Sequence, residues 1–314
     1  MTAAPKLNSC FLDEEFFENF NSEHTRKSYK NDLTQFFTFA QEQFGVHDWA
    51  EIERPHVIKY RNWLKEFGGH KGEGHAPKTI ARKLAGISSY FHHLVEKNLC
   101  LNNPATSVKR PRLEVKTPTQ ALTRQQVAQL FTLISDEREC AKMHRALLML
   151  FFTSGLRKSE ILNLKLQHYR EINEHRVLEY IGKGGKIGQK LVHEDTVLAI
   201  DDYIQWMKDQ GREQHPQDWL FQPTVNPSDP TNLNKPLNPK TINEILQSYA
   251  KKMGLNIRVC PHSARATFIG ELLEAGVDIY SVAKEVNHSS VKTTQEYDKR
   301  RQNVLNSPVK ILKY

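Results

Sequence analysis

Arginine, histidine and tyrosine side chains recur near the C-terminus at a spacing that suits chemistry on an anion. His262 and Arg265 are three residues apart, so on a helix they share one face and can reach the same anion. His288 and Tyr297 follow downstream, and Arg157 lies far upstream, after a glycine-containing turn. Two arginines to hold a phosphate, two histidines to exchange protons and a tyrosine hydroxyl to attack phosphorus are groups suited to cleaving a phosphodiester. DNA is the substrate we expect.

The composition is that of a globular protein with a basic surface. The chain has 314 residues, of which 39% are hydrophobic and 25% charged, and its formal net charge is +8. Residues 71–112 contain eight Lys/Arg against two acidic residues, whereas residues 1–66 contain eight against eleven. This concentrated positive charge favours a polyanionic partner.

Cysteine usage and hydropathy bear on the compartment. The four cysteines are widely spaced and form no CxxC pair, which indicates free thiols and argues against a disulfide framework or a zinc site. The N-terminus lacks a signal peptide, and the longest apolar run, residues 146–152, is too short to cross a bilayer. We therefore expect a cytoplasmic protein with no membrane partner.

Two domains and a linker are predicted. Apolar periodicity predicts helices over 22–44, 54–67 and 78–96. The proline-punctuated, basic stretch 105–120 is typical of a linker, with the boundary near residue 116. The predicted organisation is a helical domain over 1–104, this linker, and a second domain with a C-terminal tail over 121–314.

The second domain is predicted to be mixed. Residues 176–181 and 189–193 flank a Gly/Lys-rich turn and predict a β-hairpin. Helices are predicted over 123–134, 140–153, 194–210, 238–253, 263–275 and 279–286. The fold class is therefore mainly α with a small antiparallel β-sheet.

Each candidate residue has an ordinary interpretation when it is taken alone. Arg157 could simply pair with Glu160 one helical turn later. Lys183 and Lys186 lie in a hairpin turn, where exposed lysines are common. Without a following helix, the glycines of this turn do not make a nucleotide-binding loop.

The complete set resembles the tyrosine recombinase (phage integrase) superfamily, of the Xer/Cre type of site-specific recombinase. That family has an arginine in a Gly-Leu-Arg-x-x-Glu context, a lysine in a Gly-Lys-Gly hairpin, His-x-x-Arg, a second histidine and Thr-Thr-x-x-Tyr. The sequence departs from the pattern at Asn287, where a glycine is common. By resemblance the catalytic residues are Arg157, Lys183, His262, Arg265, His288 and Tyr297. Glu160 would orient Arg157 or His262.

The resemblance implies a two-domain DNA clamp, with a helical core-binding domain and a mixed α/β catalytic domain. It also implies that Tyr297 forms a 3′-phosphotyrosine and that the arginines stabilise the pentavalent transition state. Lys183 would protonate the leaving 5′-oxygen, with Lys186 as the substitute, His262 would share the tyrosine proton, and His288 would donate to the phosphate. No cofactor and no metal are expected.

The implied partners are double-stranded DNA and three further copies of the chain. A homotetramer on two sites would exchange strands through a Holliday junction. Accessory DNA-bending proteins could take part. The location implied is the nucleoid of a prokaryotic cytoplasm. The residues expected to contact DNA are basic: Lys78, Arg82, Lys83, Lys109, Arg110, Arg112, Lys116 and Lys186. The tail over 304–314 could pack on a neighbouring protomer.

Other functions remain open from sequence alone. A type IB topoisomerase shares the tyrosine chemistry, and a DNA-binding protein without catalysis would share the fold. A metal-dependent nuclease fits worse, because no suitable carboxylate cluster is evident. The biological role, whether integration, excision, transposition or dimer resolution, does not follow from the sequence.

Overall fold

The chain forms two compact units in the computed structural model. Residues 12–69, 72–112, 119–135, 138–182, 184–226, 229 and 231–298 are described. The units are Met1–Lys116 and Thr117–Tyr314, and the division between them lies inside the predicted linker. In the described part of the chain, no helix combines the length and apolarity needed to cross a membrane.

The first unit is helical. Its helices are α1 (Glu14–Glu18), α2 (Glu23–Phe44), α3 (Arg54–Glu66) and α4 (Pro77–Glu96), with a 3-10 turn at Trp49–Glu51. The Ser22 hydroxyl accepts from the Thr25 amide and so caps α2. Both α3 and α4 have a proline in the first turn, where its missing N–H is not needed.

An aromatic core holds these helices together. Phe36, Phe37, Tyr60 and Tyr90 are essentially inaccessible to solvent. The Trp49 ring lies 4.5 Å from the Phe37 ring and 4.7 Å from the Tyr90 ring, which links the 3-10 turn to α2 and α4. Aromatic pairs of this kind stabilise beyond their buried area.

The second unit combines helices with a three-stranded antiparallel sheet of order β1-β2-β3. The predicted fold class, mainly helical with a small antiparallel sheet, is confirmed. Its elements are α5 (Arg124–Thr132), α6 (Ala141–Ser154), α7 (Lys158–Leu162), β1 (Tyr169–Ile172), β2 (His175–Ile181), β3 (Ile187–Leu191), α8 (Glu194–Asp209), α9 (Pro239–Lys252), α10 (Pro261–Glu274), α11 (Ile279–Glu285) and α12 (Val291–Gln295).

Helix α6 is the centre of this unit. Leu147, Leu148, Leu150 and Phe151 are buried, and the helix packs against α8 and α10. The sheet pairs Tyr180 with Gly188 and Leu178 with Lys190 across β2 and β3. Since partners across an antiparallel pair share a face, Tyr180 and Lys190 lie on the same side of the sheet.

Candidate active site

A glycine turn at the end of α6 sets the position of the first arginine. Gly155 has φ +61°, the left-handed conformation that glycine adopts without strain. A Cβ at Gly155 would lie 2.5 Å from Cδ1 of Phe268 and 3.0 Å from Cγ1 of Val286, so the main chain approaches these side chains closely. The turn places Arg157 immediately before α7.

Arg157 is held by a carboxylate and by a main-chain carbonyl. Its Nη1 donates to Oε1 of Glu160 at 2.8 Å, and its Nη2 donates to the carbonyl oxygen of Asn287 at 2.9 Å. The second carboxylate oxygen of Glu160 accepts from the Arg157 amide at 2.7 Å. Glu160 is only 4% exposed, so its charge is available to Arg157 and is little screened by water.

Arg265 is buried on α10, with 4% of its surface exposed. Its two terminal nitrogens donate to the carbonyl oxygens of Gly155 and Val286. Burial, together with the positive charge of Arg157, lowers the pKa of Arg265 to about 10, and the charge of Glu160 opposes this shift. The guanidinium therefore stays protonated at neutral pH.

Adjacent main-chain carbonyls bring the two guanidinium groups together. Helix α11 ends at Glu285, and the next two carbonyls, of Val286 and Asn287, accept from Arg265 and Arg157 respectively. Carbonyls at a helix C-terminus lack helical donors and carry the negative end of the helix dipole, which suits them to bind cations. Two forked donors are thus fixed side by side, an arrangement suited to a phosphate.

His288 and Tyr297 lie beside each other at the end of the same segment. Their rings stack with centroids 6.1 Å apart and an interplanar angle of 20°. Nδ1 of His288 lies 2.9 Å from the hydroxyl oxygen of the buried Thr294, which orients the imidazole. Burial and then the positive charges of Arg265 and Arg157 lower the pKa of His288 to about 4. The imidazole is therefore neutral at physiological pH.

Tyr297 packs against the small apolar cluster formed by α10 and α11. Burial raises the pKa of the Tyr297 hydroxyl, and the positive charge of Arg265 partly opposes that shift. The phenol is consequently protonated in the resting protein and needs a base to become a nucleophile.

His262 lies in the first turn of α10, on the exposed side of the helix. Partial desolvation, followed by the charges of Arg265, Lys158 and Arg157, lowers the pKa of His262 below its ordinary value. A neutral imidazole can accept the proton of a phenol. His262 and Arg265 are three residues apart on α10, so they lie on the same face of that helix.

The sheet contributes two polar side chains that sequence analysis did not single out. Nζ of Lys190, on β3, donates to the carbonyl oxygen of Glu285 at 2.6 Å and to its Oε1 at 2.7 Å. The Tyr180 hydroxyl, on β2, accepts from Nδ2 of Asn287. A period-2 pattern along β3 could have placed Lys190 on the inner face, but its partners could not have been deduced.

Lys183, the expected acid, lies outside the described residues. Lys186 is exposed at the turn between β2 and β3, where its carbonyl accepts from the Gly182 amide at 2.7 Å. The structure thus describes five of the six expected catalytic residues, namely Arg157, His262, Arg265, His288 and Tyr297, in one site of the second unit.

The residues expected to contact DNA through α4 differ in their surroundings. Lys78 is exposed in the first turn. The Arg82 side chain is half exposed and donates from Nη2 to Oδ1 of Asp32 at 3.0 Å. Lys83 is only 8% exposed, and its amine donates to Asp32 at 2.8 Å and to Gln35 at 2.7 Å. A phosphate contact by Lys83 does not fit the structure, because its charge is buried and already paired.

The remaining expected contacts lie around the linker. Lys109, Arg110 and Arg112 are exposed and are available to a polyanion. Lys116 lies outside the described residues, as does the tail 304–314. Among the residues that the structure describes, no group of three or more His, Cys, Asp or Glu side chains is arranged to hold a metal ion.

The arrangement suits attack by the tyrosine on a phosphodiester. Two fixed guanidinium groups can bind the non-bridging oxygens, where negative charge grows in the transition state. The Tyr297 ring stacks on the ring of His288, and the positive charge of Arg265 acts on the Tyr297 hydroxyl. Cleavage that leaves the phosphate on the protein is the chemistry this arrangement can perform.

Known families match the chain in two places. The Phage integrase family matches residues 120–303. The N-terminal SAM-like domain of phage integrase matches residues 11–98. The first match alone covers more than half of the chain.

Curated proteins of similar sequence span nearly the same length. Tyrosine recombinase XerC of Thermodesulfovibrio yellowstonii is 29% identical over 293 residues, covering 91% of this chain and 89% of the relative. Tyrosine recombinase XerC of Myxococcus xanthus is 28% identical over 301 residues, covering 95% and 94%.

Solved structures share the fold at low sequence identity. XerH site-specific recombinase bound to palindromic difH substrate has a TM-score of 0.70 and 17% identity, covering 91% of this chain and 80% of that one. The Tn1549 transposon integrase in complex with circular intermediate DNA has a TM-score of 0.69 and 17% identity, covering 96% and 97%. At these identities the likeness is evidence of fold.

Proposed function

The chain belongs to the phage integrase family, and we propose that it is a site-specific recombinase that cuts and rejoins DNA through a covalent phosphotyrosine at Tyr297. The observation that carries this proposal is the placement of both arginines on consecutive carbonyls, those of Val286 and Asn287, next to the His288–Tyr297 pair. A phosphate bound by the two guanidinium groups would lie close to the tyrosine hydroxyl.

The first chemical step replaces one phosphodiester bond by another. The Tyr297 oxygen bonds to phosphorus, and the bond from phosphorus to the 5′-oxygen breaks, which leaves a 3′-phosphotyrosine and a free 5′-hydroxyl. Arg157 and Arg265 would stabilise the added negative charge of the pentavalent transition state. Because the phosphotyrosine retains the energy of the broken bond, attack by a 5′-hydroxyl can rejoin the strand.

Two proton transfers accompany the step. His262 would accept the tyrosine proton, which suits its lowered pKa. Lys183 would protonate the leaving 5′-oxygen, with Lys186 as the substitute. In the tautomer in which Thr294 donates to Nδ1 of His288, Nε2 carries the proton and can donate to the phosphate. Glu160 would act as a positioning residue for Arg157.

The partner is double-stranded DNA, contacted by exposed basic residues of both units: Lys78, Arg82, Lys109, Arg110, Arg112 and Lys186. We further propose that four copies assemble on two sites and exchange strands through a Holliday junction, with accessory DNA-bending proteins where the site requires them. Such a recombinase would work at the nucleoid of a prokaryotic cytoplasm. The relatives named XerC and the neighbour bound to difH support a DNA substrate.

Two alternative functions make different predictions. A type IB topoisomerase would relax supercoiled DNA without pairing two sites, and the recombinase names of the relatives do not favour it. A DNA-binding protein without catalysis would bind a site and form no covalent product.

The test begins with the target site. The Tyr297→Phe protein, which lacks the nucleophile, selects bound duplexes from a randomised library. The selected duplex is then nicked near its centre and incubated with wild-type protein in EDTA, so that the cut strand diffuses away and the adduct accumulates. We expect an SDS-resistant adduct with the wild type and none with Tyr297→Phe. A duplex that is bound but never joined to the protein would overturn the proposed chemistry.

A further inference from the structure

Three consecutive carbonyls at the end of α11 each accept a hydrogen bond from a different cation. The carbonyl oxygen of Glu285 accepts from Lys190, that of Val286 from Arg265, and that of Asn287 from Arg157. These carbonyls have no helical donor beyond the helix end, so the three side chains supply their partners. The expected catalytic arginines thus share their anchoring segment with a lysine that none of the family motifs contains.

Lys190 is placed for a specific contact and is not a solvated surface lysine. It is 5% exposed, and besides Glu285 its Nζ lies 5.5 Å from the centroid of the Phe268 ring. Phe268 is also the side chain that a Cβ at Gly155 would meet, so Lys190, Phe268 and the Gly155 turn form one packed group. A buried amine is retained at an energetic disadvantage relative to an apolar side chain of similar volume. Only a donor, however, can hold the Glu285 carbonyl in place.

A second contact holds the same segment to the same face of the sheet. Nδ2 of Asn287 donates to the Tyr180 hydroxyl, and Asn287 has φ +52°, a conformation that asparagine tolerates better than most residues. The Tyr180 ring crosses Gly188, where a Cβ would lie 2.5 Å from the ring. Asn287 replaces the glycine common in the family, so this contact depends on one of the residues in which the chain departs from the pattern.

We propose that Lys190 is a positioning residue for DNA cleavage: it fixes the end of α11 against β3, so that the carbonyls of Val286 and Asn287 hold Arg265 and Arg157 in register with the scissile phosphate. The Tyr180–Asn287 contact supports the same segment from β2. This inference rests on the proposed function and adds to it a residue that does not touch the DNA.

The variant that tests the inference is Lys190→Met, which keeps the volume and removes the donor. The matched control is Lys165→Met, because the Lys165 amine also lies over an aromatic ring, that of Trp219, and donates to a side chain, that of Gln217. The first-order rate of adduct formation is measured at saturating concentrations of the selected duplex, beside the Kd for intact duplex. We expect Lys190→Met to slow cleavage at least about tenfold with Kd changed less than threefold, and Lys165→Met to change neither.

A double variant distinguishes positioning from a general structural role. If Lys190 acts through the arginines, Arg157→Lys combined with Lys190→Met should lose clearly less cleavage rate than the product of the two single losses, because part of the effect of Lys190 passes through Arg157. Multiplicative losses, or an unchanged rate in Lys190→Met, would overturn the inference while leaving the proposed function intact. If the wild type forms no adduct on the duplex it binds, both the inference about Lys190 and the proposed function are overturned.

A variant that fails to fold is recognised by circular dichroism and thermal melting. Lys190→Gln then replaces Lys190→Met, because the glutamine amide retains an N–H donor on a shorter side chain. We expect its cleavage rate to lie between those of the wild type and Arg157→Lys. Failure of both variants to fold would show that Lys190 serves the fold itself, and would also overturn the inference.

Discussion

Arg265 illustrates how main-chain carbonyls can orient a buried guanidinium group. Its two terminal nitrogens donate to carbonyls of Gly155 and Val286, which belong to segments far apart in sequence. A guanidinium is planar and forked, so two anchored nitrogens determine the direction of the whole group. A lysine amine has a single nitrogen and cannot meet both carbonyls while facing a phosphate.

Arg265→Lys should therefore abolish most cleavage even though the positive charge is kept. Loss of one oriented donor to transition-state charge commonly reduces the rate about 10²–10³-fold. We expect a loss of that size in the adduct-forming rate at saturating duplex, with a much smaller change in Kd. A rate within tenfold of the wild type would show that charge alone is sufficient at this position.

Residue types indicated the candidate reacting groups but not what holds them. Arg157, His262, Arg265, His288 and Tyr297 were predicted from order and spacing, and the structure brings them into one site. The carbonyls of residues 285–287 leave no signal in residue type, because every residue has one. Lys190 and Lys83 were not recognised as buried, since lysines are almost always exposed unless they are paired, and the pairing partners lie on other elements.

At the scale of elements, the turn between α6 and α7 positions the site. Gly155 ends α6 in a left-handed conformation, and its carbonyl accepts from Arg265. Its main chain lies so close to Phe268 and Val286 that no side chain fits there without movement. Conformation and packing both require glycine at this position.

Gly155→Ala should consequently destabilise the second unit by more than the conformational penalty. A non-glycine residue in the left-handed region costs roughly 1–2 kcal/mol, and the contact with Phe268 adds to it. Gly254→Ala is the matched control, because Gly254 has φ +71° and a Cβ there would meet nothing within 4 Å. Urea unfolding should give a clearly larger loss of unfolding free energy for Gly155→Ala. Equal losses would argue against a packing constraint.

Long elements were predicted well, whereas some of the shortest were missed. The bounds of α2, α3, α4 and α8 agree with the expected ones to within one residue, since each has a strong apolar repeat and recognisable ends. Strand β1 was missed. It has four residues, and its turn to β2 places Asn173 and Glu174 at positive φ without a glycine. Helix α12, with five residues, is too short to show a period.

At the scale of the whole molecule, the two units contain groups that titrate in different pH ranges. In the second unit, burial lowers the pKa of His144 to about 4, and Nδ1 of this histidine lies 3.0 Å from the Tyr249 hydroxyl. His288 is lowered to about the same pKa. In the first unit, hydrogen bonds from Lys97 and His93 lower the pKa of Asp13 to about 2.

These shifts predict different windows of acid sensitivity. A histidine with a lowered pKa binds its proton more readily when the chain is unfolded. Its contribution to the free energy of unfolding is therefore complete above pH 6.5 and is lost as the pH falls towards 4. The contribution of Asp13 to the free energy of unfolding is lost only below about pH 3.8, the ordinary pKa of its carboxyl group. Lowering the pH from 7 to 4.5 should therefore lower the Tm of the second unit more than that of the first, and calorimetry measures both. His144→Gln should reduce this pH dependence, and an undiminished shift would contradict the assignment.

The distribution of charge along the chain makes a final prediction, about how strongly DNA binding depends on salt. Each phosphate neutralised by a protein cation contributes about 0.9 to the slope of log K against log salt concentration. Lys78 is exposed in the basic segment, so Lys78→Ala should reduce the slope by roughly that amount. Lys83→Met should leave the slope unchanged and lower the Tm of the first unit, because the buried Asp32 loses one of its cations.

Lys97→Met is the control for these two variants. Lys97 belongs to the same basic segment, but its amine contacts the carboxylates of Asp13 and Glu15 at 2.7 Å each, so its charge is already compensated within the protein. Binding isotherms of the selected duplex at several salt concentrations give the slopes directly. If Lys83→Met lowered the slope as much as Lys78→Ala, a buried cation would have to become exposed on binding. The first unit would then rearrange to meet DNA, since only a charge that reaches a phosphate can displace its counterion.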